Sequence, residues 1–206
     1  MLIATAVNEE GYREVIGAED GVCSLPSCWI GFFQMLKMRG LDGVELIISD
    51  NYPGIMEAAG KVFPEARFQQ CVDRFYQNVL SLLKPSKRKS VAKMLKAIHA
   101  QDSKGAALDE VREVVAALDN MKLTKAAWLV ESGADISLTY YDFPGEHWPR
   151  IRSSNAIGRL ERDIRERTST ADAFVAGESS SMRVFTRLRR IAGSRWGQRR
   201  YVSMSH

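Results

Sequence analysis

The chain has 206 residues, of which 45% are hydrophobic and 26% are charged. This length and composition are enough for one sizeable core and exclude an intrinsically disordered chain. No apolar run approaches the roughly 20 residues that a membrane helix needs, and the first fifteen residues lack the basic and apolar segments of a signal peptide. Cys23, Cys28 and Cys71 have no histidine at metal-ligand spacing, so we expect free thiols in a cytoplasmic protein with no membrane partner.

The net charge of +4 is unevenly distributed along the chain. From Arg150 to Arg200 there are 13 arginines and five acids, which gives this stretch a local charge of +8. The planar guanidinium of arginine suits bidentate contact with phosphate. A solvated helix face is the alternative interpretation, but the density and one-sidedness of the charge favour a polyanionic partner.

The first part of the chain predicts a hairpin followed by a helix. Leu2–Val7 and the alternating apolar positions after Gly11 predict two antiparallel strands around a turn. Residues 25–39 have apolar positions at near-helical spacing, with Pro26 near the start and Gly40 after the last turn. These features predict an amphipathic helix.

The next segments alternate between strand and helix patterns. Residues 44–48 form a compact β-rich run that predicts a buried strand, central in a sheet. Pro53 begins a helix that ends at Pro64, and residues 66–72 predict one more strand. The resulting order, β-β-α-β-α-β, predicts an α/β fold with helices packed on a mixed sheet.

From residue 74 onward the patterns are helical. Residues 76–135 show no strand signal and predict an all-helical insertion. Residues 156–168 and 179–194 predict arginine-rich helices, with Ser154 or Asn155 as an N-cap for the first. We therefore expect residues 1–206 to form a single domain whose helical C-terminal part, about residues 150–200, is basic.

Asp50 is the most informative residue because it follows the predicted strand at residues 44–48 and precedes a turn and a helix. Ligand and metal sites in folds of sheet and helix gather at such strand ends, and a carboxylate there suits Mg²⁺. The alternative is that Asp50 only caps the helix that begins at Pro53. This motif alone favours the cap.

Two further features admit competing interpretations. Cys71 has no second Cys or His nearby, which favours a buried free cysteine over a metal ligand. Four aromatic residues precede Arg150 and Arg152, namely Tyr140, Tyr141, Phe143 and Trp148. Aromatic residues interleaved with arginines stack on bases and contact phosphates in nucleic-acid-binding proteins. A hydrophobic plug is the favoured interpretation for the aromatic residues, and phosphate contact is favoured for the arginines.

Four blocks in order carry a family resemblance: ELIISDNYPGI, EARFQQCVDRFYQNVL, IRSSNAIGRLERDIRERT and RWGQRRYVSM. They resemble the Mutator-type transposases of bacterial insertion sequences, and the resemblance covers nearly the whole chain. It implies a partial RNase H-like fold with a helical insertion. It also implies metal-dependent cleavage and joining of DNA, in which two aspartates and one glutamate hold two divalent ions, with Mg²⁺ as the expected cofactor.

The resemblance also assigns positions. Asp50 matches the second family aspartate and is the expected metal ligand, and Arg74 stands where the family has the histidine of a Cys-x-x-His signature. Gly158 stands where the family has the glutamate. The strand with the first aspartate would precede Leu2 and is absent, as is the N-terminal region that binds DNA ends. We therefore expect a truncated and degenerate catalytic domain, with Gly158 near Asp50 across a shallow cleft.

One carboxylate cannot clamp two Mg²⁺ ions, so we expect no strand cleavage by this chain alone. Glu161 and Glu19 are the first acids to test for substitute ligand roles. The alternative is a non-catalytic DNA-binding or subunit-interaction module that modulates intact transposase, and a third possibility is a relic without function. The expected partners are double-stranded DNA and transposase subunits. The expected DNA contacts are Arg150, Arg152, Asn155, Arg159, Arg162, Arg165, Arg167, Arg199 and Arg200.

Overall fold

The structure is a computed structural model that describes residues 2–19, 25–50, 52–155, 157–158, 160, 162 and 178–204. The chain divides into two compact units. The terminal unit comprises Met1–Gly43 and Ser154–His206, and the central unit comprises Val44–Ser153. No helix among the described residues is long and apolar enough to cross a membrane.

The described elements follow the expected β-β-α-β-α-β order and then become helical. The strands are β1 (Leu2–Val7), β2 (Arg13–Glu19), β3 (Leu46–Ser49) and β4 (Arg67–Gln70). The helices are α1 (Pro26–Met38), α2 (Pro53–Val62), α3 (Val72–Ser81), α4 (Pro85–Ile98), α5 (Lys104–Asn120), α6 (Thr124–Ser137), α7 (Trp148–Ile151), α8 (Glu178–Ala192) and α9 (Arg195–Gln198), with a 3₁₀ turn at Thr139–Asp142.

The terminal unit contains the predicted hairpin, β1 paired antiparallel with β2. The side chain of Asn8 shapes the turn, because its Oδ1 accepts hydrogen bonds from the backbone N–H groups of Glu10 and Tyr12. The prediction of a hairpin and of the following amphipathic helix is confirmed. Helices α1 and α8 both contact β2.

The C-terminal segment of the chain docks on the hairpin turn. The N–H groups of Tyr201 and Val202 donate to the carbonyl of Gly11 at 2.7 and 3.2 Å. Gly11 has φ +86°, and a Cβ there would clash with the Val202 carbonyl oxygen, so this approach requires glycine. The Arg13 guanidinium lies 4.5 Å from the Trp196 ring centroid and 4.6 Å from that of Tyr201. The aromatic-basic end of the chain therefore stabilises this unit.

The central unit begins with a β-α-β unit. Strands β3 and β4 pair in parallel, from Leu46 opposite Arg67 to Ser49 opposite Gln70, and α2 connects them. Among the described residues β3 has no second neighbour, and β1–β2 forms a separate sheet. The prediction that residues 44–48 are central in one mixed sheet is therefore wrong. The apolar run suggested burial on both sides, whereas all four residues of β3 are only half-buried.

The prediction that residues 76–135 are helical and contain no strand is confirmed, since four helices and no strand occur there. The core of this helical region holds seventeen buried residues from α3 to the 3₁₀ turn, including Phe75, Leu95, Leu118 and Val130. Tyr140 is 1% exposed within this core, and Tyr141 and Trp148 pack against it. The aromatic cluster is thus the hydrophobic plug that the sequence favoured.

Two of the three cysteines lie among the described residues. Cys71 is buried and is not disulfide-bonded, as predicted. Cys28 is disulfide-bonded, so the expectation of a free thiol there is wrong. With three cysteines in the chain, the sequence alone did not indicate a disulfide pair. Cys23 lies outside the described residues.

His99 is a buried polar residue of the helical core, 5% exposed. Its Nδ1 lies 3.0 Å from the Tyr76 hydroxyl and its Nε2 lies 3.3 Å from Ser137 Oγ. Burial lowers the pKa of His99 to about 4 because the imidazolium would lose its hydration. The imidazole is therefore neutral in the folded chain at neutral pH.

This depressed pKa predicts that acid destabilises the central unit. Below pH 6.5 His99 becomes protonated in the unfolded chain, whereas in the folded chain it stays neutral until about pH 4. The free energy of unfolding therefore falls as the pH is lowered from 6.5 to about 4. The expected loss is about 3 kcal/mol between pH 7 and pH 4, measured by urea unfolding. His99→Gln removes the titrating group and should flatten this part of the profile. If the free energy of unfolding depended on pH in the same way in both proteins, His99 would not be the group that destabilises the folded chain in acid.

Candidate functional site

The carboxyl ends of β3 and β4 lie at the same edge of their two-stranded sheet. Asp50 directly follows β3, and Cys71 directly follows β4 as the N-cap of α3. The Cys71 N–H donates to the Ser49 carbonyl at 2.8 Å, which continues the parallel pairing to this point. Side chains from the end of β3 and the first turn of α3 therefore meet at the strand ends, where folds of this class place ligands.

The carboxylate of Asp50 is paired with a cation of the chain itself. Arg74 Nε lies 3.2 Å from Asp50 Oδ2, and both side chains are about half exposed. Arg74 Nη1 also donates to Gln77 Oε1 at 3.1 Å, which helps to hold the guanidinium in place. Helix α2 has Tyr52 as its N-cap and no side-chain cap hydrogen bond, so the interpretation of Asp50 as a helix cap is wrong.

The described residues around Asp50 do not fit a pair of Mg²⁺ ions. Mg²⁺ needs several oxygen ligands, and a two-metal site needs carboxylates that bridge or flank both ions. Within the described part of the chain, no three His, Cys, Asp or Glu side chains form a group that could hold a metal ion. The guanidinium of Arg74 also places a positive charge beside Oδ2 of Asp50, which opposes a divalent ion there.

Gly158 occupies an open, exposed helical position in the terminal unit. Its N–H donates to the Ser154 carbonyl at 3.1 Å, and a Cβ at this position would meet no atom of the described residues within 4 Å. Packing among the described residues therefore does not explain the glycine. Gly158 and Asp50 belong to different units, so their proximity stays a prediction.

The residues predicted to contact DNA fall into three groups. The exposed ones are Arg150, Asn155, Arg162, Arg199 and Arg200. Arg152 is half-buried, and its Nη1 donates to the His99 carbonyl at 3.2 Å, so its guanidinium serves the packing of the central unit. Arg159, Arg165 and Arg167 lie outside the described residues. Contact with DNA stays a prediction for the whole set.

A second basic surface lies on α4 and was not predicted from the sequence. Lys89, Lys93 and Lys96 are all exposed on this helix. The signal was available in the sequence, because no acidic residue occurs between Arg74 and Gln101.

Comparison with known proteins decides the family. The sequence profile of the Mutator family of transposases matches residues 1–198. The chain belongs to this family.

Several curated relatives are similar over most of the chain. It is 34% identical over 178 residues to the transposase of insertion sequence element IS1081 from Mycobacterium tuberculosis, which covers 84% of this chain and 41% of that protein. It is 32% identical over 220 residues to the transposase of element ISRM5 from Rhizobium meliloti, with coverages of 99% and 51%. The chain thus spans about half the length of these relatives.

Replacing Arg74 with alanine should uncover the Asp50 carboxylate, because the competing guanidinium is gone. We expect Mn²⁺ to broaden the amide NMR signals around Ser49 in this variant and to leave them sharp in the unchanged chain. The variant should stay folded, since an exposed ion pair contributes only about 0–1 kcal/mol.

Arg112→Ala is the matched control, because it removes an exposed arginine from another carboxylate pair, Arg112–Asp109, in the same unit. It should leave the signals around Ser49 sharp. If Mn²⁺ broadened these signals equally in the unchanged chain and in Arg74→Ala, Arg74 would not be competing with the metal ion for Asp50.

Proposed function

We propose that this chain is a transposase-derived, DNA-binding protein of an insertion sequence that does not cut or join DNA by itself. The observation that carries the proposal is the ion pair between Arg74 and Asp50. It neutralises the one carboxylate at the strand ends that matches a family metal ligand. The RNase H-like fold is part of the same proposal and rests on the order β1-β2-α1-β3-α2-β4 followed by the helical insertion.

Two departures from the family pattern act against metal binding in different ways. Gly158 removes the oxygen ligand that the family glutamate would supply, and no packing constraint among the described residues explains the loss. Arg74 adds a positive charge where the family has a histidine. Because one change removes a ligand and the other adds a competing cation, reversing either one alone leaves the site unsuited to two ions.

Double-stranded DNA is the proposed partner. The support is the charge of +8 between Arg150 and Arg200 and the exposure of Arg162, Arg199 and Arg200. Contacts of this kind are made to phosphates and carry no sequence information.

A second candidate function is a subunit-interaction module that associates with transposase-type chains, including copies of itself. The observation that favours it is an open groove of about 560 Å³ on the central unit, lined by Leu82, Thr124, Lys125, Trp128 and Leu129. Trp128 is 66% exposed there, and exposed apolar surface of this kind marks interaction sites. Self-association in sedimentation velocity that Trp128→Glu abolishes would favour this candidate.

The DNA-binding part of the proposal predicts a strong salt dependence. The logarithm of the affinity for random duplex DNA should fall linearly with the logarithm of salt concentration. Replacing Arg159, Arg162 and Arg165 with alanine should make the slope shallower by up to about 2.7 and weaken binding to all sequences alike. Fluorescence anisotropy with two unrelated duplexes measures both effects. Binding that is absent at low salt, or indifferent to salt, would refute the DNA-binding proposal.

The catalytic part predicts no nicking of supercoiled plasmid with Mg²⁺ or Mn²⁺. Gly158→Glu should also be inactive, because Arg74 still neutralises Asp50. Asp50→Asn serves as the inactive reference. Metal-dependent nicking by the unchanged chain that disappears in Asp50→Ala would overturn this part, and Glu161 and Glu19 would then be the first candidates for substitute ligands.

A further inference from the structure

Helix α4 and its N-cap carry a concentration of positive charge in the central unit. From Arg74 to Gln101 the sequence has seven lysines and arginines, Arg74 included, and no acid. Six of these cations are exposed on α4 or at its N-cap: Lys84, Lys87, Arg88, Lys89, Lys93 and Lys96.

Three of the lysines form a ridge along the solvent side of the helix. Lys89, Lys93 and Lys96 are spaced four and three residues apart and therefore share one face. At 1.5 Å per residue the ridge is about 10 Å long. The opposite face packs into the helical core through residues that are at most 1% exposed, namely Val91, Leu95 and Ile98.

The charge on α4 is not paired with carboxylates of the described residues. None of its six cations forms an ion pair there, and the Nε of Arg88 donates to the backbone carbonyl of Leu83. Helix α5 differs, since Arg112 on that helix pairs with Asp109. Like charges one turn apart destabilise a helix, and cations in its first turn face the positive end of its dipole. The requirements of the fold therefore do not explain this arrangement.

We propose that the ridge of Lys89, Lys93 and Lys96 binds the phosphate backbone of duplex DNA, as a contact surface additional to the C-terminal arginines. The proposal rests on the proposed function in taking DNA as the partner. Duplex DNA carries one negative charge per about 1.7 Å of its axis, so a ridge about 10 Å long meets several phosphates. Lysine ammonium groups act as point charges and suit phosphate contact without sequence preference.

An anionic membrane is the other polyanion that a basic helix can contact. A helix that lies in a membrane interface inserts an apolar face next to its charged one. The apolar face of α4 is already buried in the helical core, so the ridge offers charge alone. This arrangement favours the phosphate backbone of DNA.

The test compares two triple variants of the full chain that lose the same charge. The ridge variant is K89Q/K93Q/K96Q, and the control is K37Q/K61Q/R112Q, which removes three exposed cations from α1, α2 and α5. Fluorescence anisotropy on a random duplex measures the salt dependence of binding. The ridge variant should show a slope shallower by about 2 to 3, with the control close to the unchanged chain. Its melting temperature should not fall, because the substitutions relieve repulsion along the helix.

Each outcome bears on the proposal. Equal slopes for the ridge variant, the control and the unchanged chain would overturn it and leave the C-terminal arginines as the DNA contact. No DNA binding by the unchanged chain would overturn both the ridge and the proposed function. Ridge-dependent binding to phosphatidylserine vesicles, with DNA binding unaltered by the ridge substitutions, would assign the surface to a membrane instead.

Discussion

The parallel pairing of β3 with β4 fixes where Asp50 leaves the sheet and where α3 begins. Because Ser49 lies opposite Gln70, Asp50 and the first turn of α3 reach the same edge, and Arg74 comes within 3.2 Å of the Asp50 carboxylate. If the pairing of β3 with β4 shifted by one residue, the side chain of Asp50 would point to the other face of the sheet. The chemistry available at the site therefore follows from two strands of four residues each.

Local patterns predicted the hairpin, helices α1 to α6 and the plug around Tyr140, because each depends on periodicity or turn residues close in sequence. They failed for the position of β3 in its sheet, since strand neighbours are set by distant parts of the chain. The sequence identified Asp50 and Arg74 separately as matches to family positions. These two residues are 24 positions apart in sequence, and their pairing could be seen only once the register of β3 and β4 was known. The lysines of α4 were not predicted as a basic surface, because acids in neighbouring parts of the chain offset their charge in the net charge of a long stretch.

Positive charge from side chains is the common feature of the strand ends and of α4. At the strand ends the guanidinium of Arg74 pairs with Asp50, whereas on α4 the ammonium groups of Lys89, Lys93 and Lys96 have no carboxylate partner among the described residues. The first arrangement is the basis of the proposal that the chain does not cut DNA. The second is the basis of the proposal that α4 contacts its phosphates.

A crystal structure of the chain grown with excess Mn²⁺ tests the central claim most directly, because anomalous scattering locates the ion without reference to activity. We expect no anomalous peak at the Asp50 carboxylate and an Arg74 guanidinium that remains paired with it. A Mn²⁺ peak coordinated by Asp50, with Arg74 turned away, would show that Arg74 does not keep metal ions from this carboxylate.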